Sequence, residues 1–223
     1  MKSNRRRGVS SIEFALSTLV LVPLILGSGV TGANMIRTLQ VVQLARDAGH
    51  MYARNINFAL PGNKTILGNI GKDVGLKIDG TGTAVVILSA LTYVDQNACA
   101  AVGAVDADGN PTSTCTNYTK WVFTQRIVIG NPSVRSSNYG SPLTSGPTGV
   151  TVNSITGEIS ESDYVKKAGA VANFNAVNPY QVVAGEAQGL PSGQVLYLAE
   201  AGATGYNLPP FVSGAVAYSW GMF

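Results

Sequence analysis

The sequence predicts an α+β fold: one long N-terminal helix, first membrane-spanning and then amphipathic, followed by a small, loop-rich, mainly antiparallel β domain. Three observations predict it. Phe14 to Ile36 is a run of 23 residues without a formal charge. The residues after it repeat apolar side chains every three or four positions, the spacing of one helix face. From about Pro61 the chain turns to β-branched runs separated by Gly-, Ser- and Asn-rich segments. Charged residues are only 12% of the chain and 26 of its 223 residues are Gly, which suits a β domain with many turns; a 45% apolar content argues against disorder.

The helix comes first in the chain. Phe14 to Ile36 as a helix is about 34 Å long, enough to cross a hydrocarbon core of ~30 Å. Lys2, Arg5, Arg6 and Arg7 supply four of the fifteen basic residues and stand before this run. Without them and Glu13, eleven basic residues face eleven acidic ones. The whole positive excess therefore precedes the apolar run. Such a distribution argues against a nucleic-acid-binding surface, which needs basic side chains on the folded body. It obeys the positive-inside rule: Arg5, Arg6 and Arg7 orient the segment with the N-terminus in the cytoplasm and the C-terminal part exported. The expected division is a basic cytoplasmic leader over 1–8, a transmembrane segment over 9–36, an amphipathic continuation over 37–58 and an exported β-rich domain over 61–223.

The amphipathic stretch places Met35, Leu39, Val42, Ala45, Gly49, Tyr52 and Ile56 on one face. Arg37, Gln40, Gln43, Arg46, Asp47 and Arg54 largely fill the others. The pattern reaches about Asn57, and Pro61-Gly62 marks a stop. A competing reading is an ordinary cleaved secretory signal. Its apolar core would be the thirteen residues Phe14 to Leu26, with Thr31 and Ala33 as the small residues before the cut.

Glu13 has no role in a disposable signal. A carboxylate at the bilayer centre costs about 2.5–3.5 kcal/mol on insertion scales, and less near the interface. If the chain is cut after Gly8, Val9 becomes the N-terminus and Glu13 lies one helical turn from the new amine. In a bundle of staggered helices, one subunit's Glu13 then neutralises a neighbour's Val9. Two such charges are tolerable when paired and costly when single. Pro23 is tolerated in a membrane helix, and Ser28 with Gly32 forms a small-xxx-small pair that permits close helix approach or acts as a flexible joint.

These residues carry a resemblance. Gly8, four residues, Glu13-Phe14 and an apolar run holding Pro23 resemble the prepilin-type leader of type IV pilins and pseudopilins. The match is closer to the TadE-like pilus-assembly proteins of the tight-adherence (Flp) system. It rests on Arg6-Arg7-Gly8, Glu13-Phe14-Ala15-Leu16, Pro23 and Gln43-Leu44-Ala45-Arg46-Asp47-Ala48-Gly49, and covers roughly residues 5 to 54. The segment Gly27 to Gly32 lacks the second acidic residue that many members carry. The resemblance implies a prepilin-peptidase bond at Gly8–Val9 and a recognition or assembly role for Glu13 and Phe14. It further implies a place in the bacterial inner membrane with a periplasmic domain, incorporation into an extracellular pilus, and other pilus or pseudopilin subunits as partners.

In the exported part, Thr83 to Val94, Tyr118 to Gly130, Gln194 to Ala199 and Phe211 to Met222 read as strands. Ser160 to Val171 reads as a short helix capped by Ser160, and Asn131 to Gly157 as a long exposed excursion. Cys99 and Cys115 are an even pair in an oxidising compartment. They form one disulfide worth on the order of 3 kcal/mol, or remain two free thiols.

Catalytic chemistry finds little footing. His50 is the single histidine and sits on the amphipathic helix. Two cysteines with one histidine do not make a standard zinc site. Asp106 and Asp108 give a weak calcium candidate, but Gly109 comes too early and no Glu stands at the twelfth position, so the stretch reads as a turn. Glu158, Glu161 and Asp163 read as a solvated charged face. No phosphate loop or nucleophile elbow is present. The expectation is a protein without enzymatic activity or cofactor. The alternative from another class is an exported adhesin or ligand-binding domain on an ordinary anchor or cleaved signal.

Overall fold

The computed structural model describes residues 5–142, 149–173, 193–209 and 214–223, the first six of them as backbone only. Helix α1 (Arg5–Ala53) is unbroken over 49 residues. Then come α2 (Pro61–Ile70), strand β1 (Ala84–Tyr93), α3 (Gln96–Ala101), β2 (Trp121–Gly130), α4 (Glu161–Lys166), β3 (Val195–Thr204) and β4 (Val216–Met222). The four strands form one antiparallel sheet in the order β2-β1-β3-β4. The α+β layout expected from sequence is present.

The C-terminal part of α1 lies on one face of this sheet. Its contacts fix the direction. The Asn34 side chain meets the main chain of Tyr206, just past β3. His50 meets Phe223, just past β4, and Tyr52 meets Tyr197, near the start of β3. The helix therefore runs with β4 and against β3. Val41, Leu44, Ala45, Ala48 and Tyr52 close over Val86, Leu88, Ala90, Ile127, Ala199, Ala201 and Ala203. Small residues on β3 let the helix approach, and larger ones on β1 and β2 fill the flank. The core stripe is shifted from the expected one. Ala45, Gly49 and Tyr52 face inward, but Met35, Leu39 and Val42 are exposed and Val41, Leu44 and Ala48 take their place. Two apolar stripes overlap in this sequence, and the periodicity alone merges them.

The helix stops earlier than Asn57, and for a local reason. Asn55 adopts a left-handed φ of 61°. Its N–H bonds Tyr52 O, and the N–H of Ile56 bonds Met51 O. This is the paired bonding of a Schellman cap, with Asn in the place usually held by Gly. Pro61 does not stop a helix. It opens α2, where its missing N–H costs nothing. Asn55→Val is expected to destabilise by about 1–2 kcal/mol, the cost of forcing a side-chain-bearing residue left-handed, whereas Asn55→Gly should be near neutral; equilibrium unfolding checks both.

β1 is the central buried strand. Val85, Val86, Ile87, Leu88, Ser89, Ala90 and Leu91 are all buried, so it reads as a continuous apolar run. Its second face is covered by residues the sequence placed in an exposed excursion. Tyr139, Val150 and Val152 are buried with Trp121, Phe123, Leu91, Leu198, Ile159 and Val165. The correction has a physical cause. The carboxylate of Glu200 lies in the middle of this face at 1% exposure. Ser137 Oγ donates to it at 2.5 Å, the N–H of Asn138 at 3.0 Å and the Tyr218 hydroxyl at 2.6 Å. A segment of Ser, Asn and Gly looks like a solvated loop, yet here it supplies the hydrogen bonds that let a charge stay buried. Residues 143–148 of that excursion, and 211–213 of the last expected strand, lie outside the described residues. β3 runs five residues beyond its expected end, through Thr204. The helix expected over Ser160 to Val171 is α4, capped by Ser160 Oγ, followed by a 3-10 turn at Ala168–Ala170.

Burial, then the hydrogen bond and charge of Glu200, push the Tyr218 phenol well above its usual range. A raised folded value means a contribution that is whole below the unfolded pKa of ~10 and is lost as pH rises through the folded one. Thermal stability of the wild type is therefore expected to fall above about pH 10, with a shallower fall in Tyr218→Phe, as read from melting curves across alkaline pH.

Candidate functional site

The residues with the least explanation inside the fold lie on α1. From Ile12 to Leu26 nearly every apolar side chain is exposed, Leu19 at 74%. This helix is long and apolar enough to cross a membrane. Its hydroxyls are already satisfied within the helix: Thr18 donates to Phe14 O, Ser28 to Ile25 O and Thr31 to Gly27 O, at 2.8–2.9 Å. Each such bond removes a polar hydrogen that would otherwise face lipid. Pro23 has no N–H, so the Leu19 carbonyl loses its helical donor. Phe14, Ala15, Thr18, Leu19, Val22 and Pro23 together line a shallow apolar recess of about 550 Å³.

Arg5, Arg6 and Arg7 open the helix, and Gly8 and Val9 lie in its first turns. Glu13 is exposed one turn further on and makes no hydrogen bond or ion pair among the described residues. Phe14 beside it is also exposed.

Two side chains clamp the helix to the domain, and sequence reasoning missed both roles. Asn34 accepts from the N–H of Tyr206 at 2.7 Å and donates to its carbonyl at 3.1 Å. Arg37, expected on the solvated face, is only 8% exposed. Its Nη2 donates to Val74 O and to Thr83 Oγ1, both at 2.9 Å, and its guanidinium lies over the Tyr206 ring. The signal available was weak: a lone Asn and Arg at the junction between the uncharged run and the amphipathic stretch.

Opposite this clamp the helix stays apolar. Met35, Ile36, Leu39 and Val42 all point outward, falling to 38% exposure at Val42. Arg46, Asp47 and His50 follow on the exposed side. The exposed apolar band therefore continues past Arg37 by five residues, about 7.5 Å of helix.

The remaining candidates take structural places. Cys99 and Cys115 form a disulfide, Cys99 from α3. Asp106 Oδ1 accepts from the N–H groups of Asp108 and Asn110, closing a turn. Among the described residues no three His, Cys, Asp or Glu side chains come together to hold a metal. His50 packs edge-on to Phe223 with ring centres 4.7 Å apart. Glu158 and Asp163 line one open cleft of about 830 Å³ with Lys167 and Tyr197, and Asp163 is ion-paired to Lys167 at 2.8 Å. No protein-family model, curated protein or solved structure matches this chain.

Proposed function

We propose that this protein is a membrane-anchored, pilin-like structural component of a type IV pilus of the tight-adherence kind. Residues 1–8 stay cytoplasmic, the sheet domain is exported, and a prepilin peptidase cuts between Gly8 and Val9. The work of the protein is binding: its helix packs against the helices of other pilus or assembly subunits.

The observation that carries this reading is the apolar band on α1 that outlasts its membrane segment. At the level of Arg37 the domain presents the loop of Val74 and Thr83, with Lys77 packed beside it at Gly82. Charged loops at that height belong in water or among headgroups. Leu39 and Val42 lie further out still, so lipid does not cover them. A neighbouring helix with the same band would bury about 1.5–3 kcal/mol per large side chain. Glu13 supports the same reading, because a carboxylate in the exposed apolar part of a helix calls for a charged partner, and a neighbour's Val9 amine would be one. The unbroken run of α1 through Ala33 and Asn34 favours it over an ordinary signal, which would end the mature chain's helix at the residue that clamps Tyr206.

N-terminal sequencing of the protein from its working assembly is the test. Val9 as the first residue is the expected result; Asn34 would establish ordinary secretion, and Met1 a simple anchor. Glu13→Ala is expected to leave the sheet domain folded while strongly reducing incorporation into the assembly, measured by quantifying the protein in sheared surface filaments. Normal incorporation of that variant sinks the pairing role.

A further inference from the structure

The outer edge of β2 carries a recess lined by hydrogen-bond donors and no acid. The bonded pair Ala84 and Asn131 sets the phase of the β1–β2 ladder, so even-numbered residues of β2 beyond its bulge turn their main-chain groups away from β1. On that side Thr124 is met by Ile159 and Arg126 by Gly157, but the main chain of Val128 meets no partner among the described residues. Here opens a cavity of about 250 Å³ whose lining includes Lys64, Arg126, Val128, Asn153 and Ser154.

The donors are uncommitted. Among the described residues the Lys64 ammonium, presented by α2, makes no hydrogen bond or ion pair, and the Ser154 hydroxyl has no partner. Asn153 uses its side-chain oxygen on the N–H groups of Ile155 and Thr156, which leaves its NH₂ group free. Arg126 is 8% exposed. Its Nη2 donates to Gly140 O at 2.8 Å, its guanidinium lies 4.4 Å from the centre of the Phe123 ring, and its buried Nε has no partner among the described residues. Among these residues it forms no ion pair; Glu200 acts on it only from beyond contact distance. Burial brings the guanidinium down to about 10, and it remains charged at neutral pH. Two cationic residues, Arg126 and Lys64, thus line one recess together with neutral donors and no acid, which is half of an ion-binding site.

We propose that this recess binds a small oxyanion, a phosphate, sulfate or carboxylate group, with Lys64 and Arg126 supplying the charge. Ser154, Asn153 and the N–H of Val128 supply the hydrogen bonds. The outward carbonyl of Val128 matches a protonated oxygen or a hydroxyl on the body that carries the anion. The site is independent of how the N-terminus is processed.

Isothermal titration of the full chain in detergent micelles tests it, with sodium phosphate, sulfate and acetate run against sodium chloride at matched ionic strength. Saturable binding of at least one oxyanion is expected. Lys64→Gln should weaken it about tenfold or more, the loss of one charge-assisted contact, and Ser154→Ala by a few-fold. Both side chains lie outside the core, so circular dichroism should show an unchanged fold. Lys120→Gln, whose ammonium is occupied by Thr116 O, should bind as the wild type does. Glucose 6-phosphate and glucuronate then separate a sugar-borne anion from the free ion, tighter binding of either marking the sugar as part of the ligand. Equal heats in chloride, or undiminished binding by Lys64→Gln, would overturn the proposal.

Discussion

Glu200→Ala is expected to destabilise the protein by about 3–5 kcal/mol, the cost of breaking a buried charged network on one side. The substitution removes the acceptor for Ser137, for the N–H of Asn138 and for Tyr218 at once. Three part-buried donors lose their acceptor, each at some fraction of the roughly 1–3 kcal/mol that a fully buried unpaired donor costs. It also removes the carboxylate whose charge favours the charged form of Arg126, which stays buried. The strands themselves should persist, because Glu200 contributes a side chain to the sheet and its main chain is unaffected. The expected sequence of events is that residues 131–142 detach first. Denaturant unfolding measures the loss, and hydrogen exchange at Asn138 and Tyr139 measures the detachment. Glu200→Gln keeps an acceptor of the same shape and should lose less than half as much. A change below about 1 kcal/mol for the Ala variant would mean that the network is solvated.

Replacing both cysteines with serine should cost about 3 kcal/mol, the loop-closure value for a bridge spanning 16 residues of sequence. The effect should reach beyond the loop. Asn117, just after Cys115 and fully buried, donates its side-chain NH₂ to Tyr164 O and Lys167 O, and its own N–H bonds Val165 O. The disulfide thus fixes the segment that seats α4. Reduction should lower the midpoint of chemical unfolding and accelerate hydrogen exchange over 161–167 together. An unchanged midpoint under reducing conditions would show that Cys99 and Cys115 pack equally well as separate side chains.

The long-range plan was legible where one kind of signal dominated. A charge-free run of this length can hardly be anything but an apolar helix, and β1 announces itself because both its faces are buried. The register of α1 on the sheet was not legible. Met35, Leu39 and Val42 obey the same spacing as Val41, Leu44 and Ala48, and only the partner surface decides which set turns inward. Asn55 was readable in principle, since Asn is the common substitute for Gly in a left-handed cap, but Pro61-Gly62 is the louder signal and misled. Arg37, Arg126 and Glu200 were invisible. Nothing in their sequence neighbourhood distinguishes a charge held by distant carbonyls and hydroxyls from one in water. Of the proposed functional residues, Gly8 and Glu13 come from motif spacing, whereas the outward band and the Asn34–Arg37 clamp emerge only in three dimensions.

No linker separates the apolar half of α1 from the sheet domain. The rod whose first half can lie in a bilayer is, from Val41 to Tyr52, part of the domain's own interior. A pull on the N-terminal half of α1 along its axis therefore loads the contact between α1 and the strands β3 and β4 in shear, since all three run along the same line. Leu44, Ala48 and Tyr52 must then slip together rather than peel one at a time. Such an arrangement resists traction far better than a tethered domain, and it carries any twist of the free half of α1 straight into the sheet.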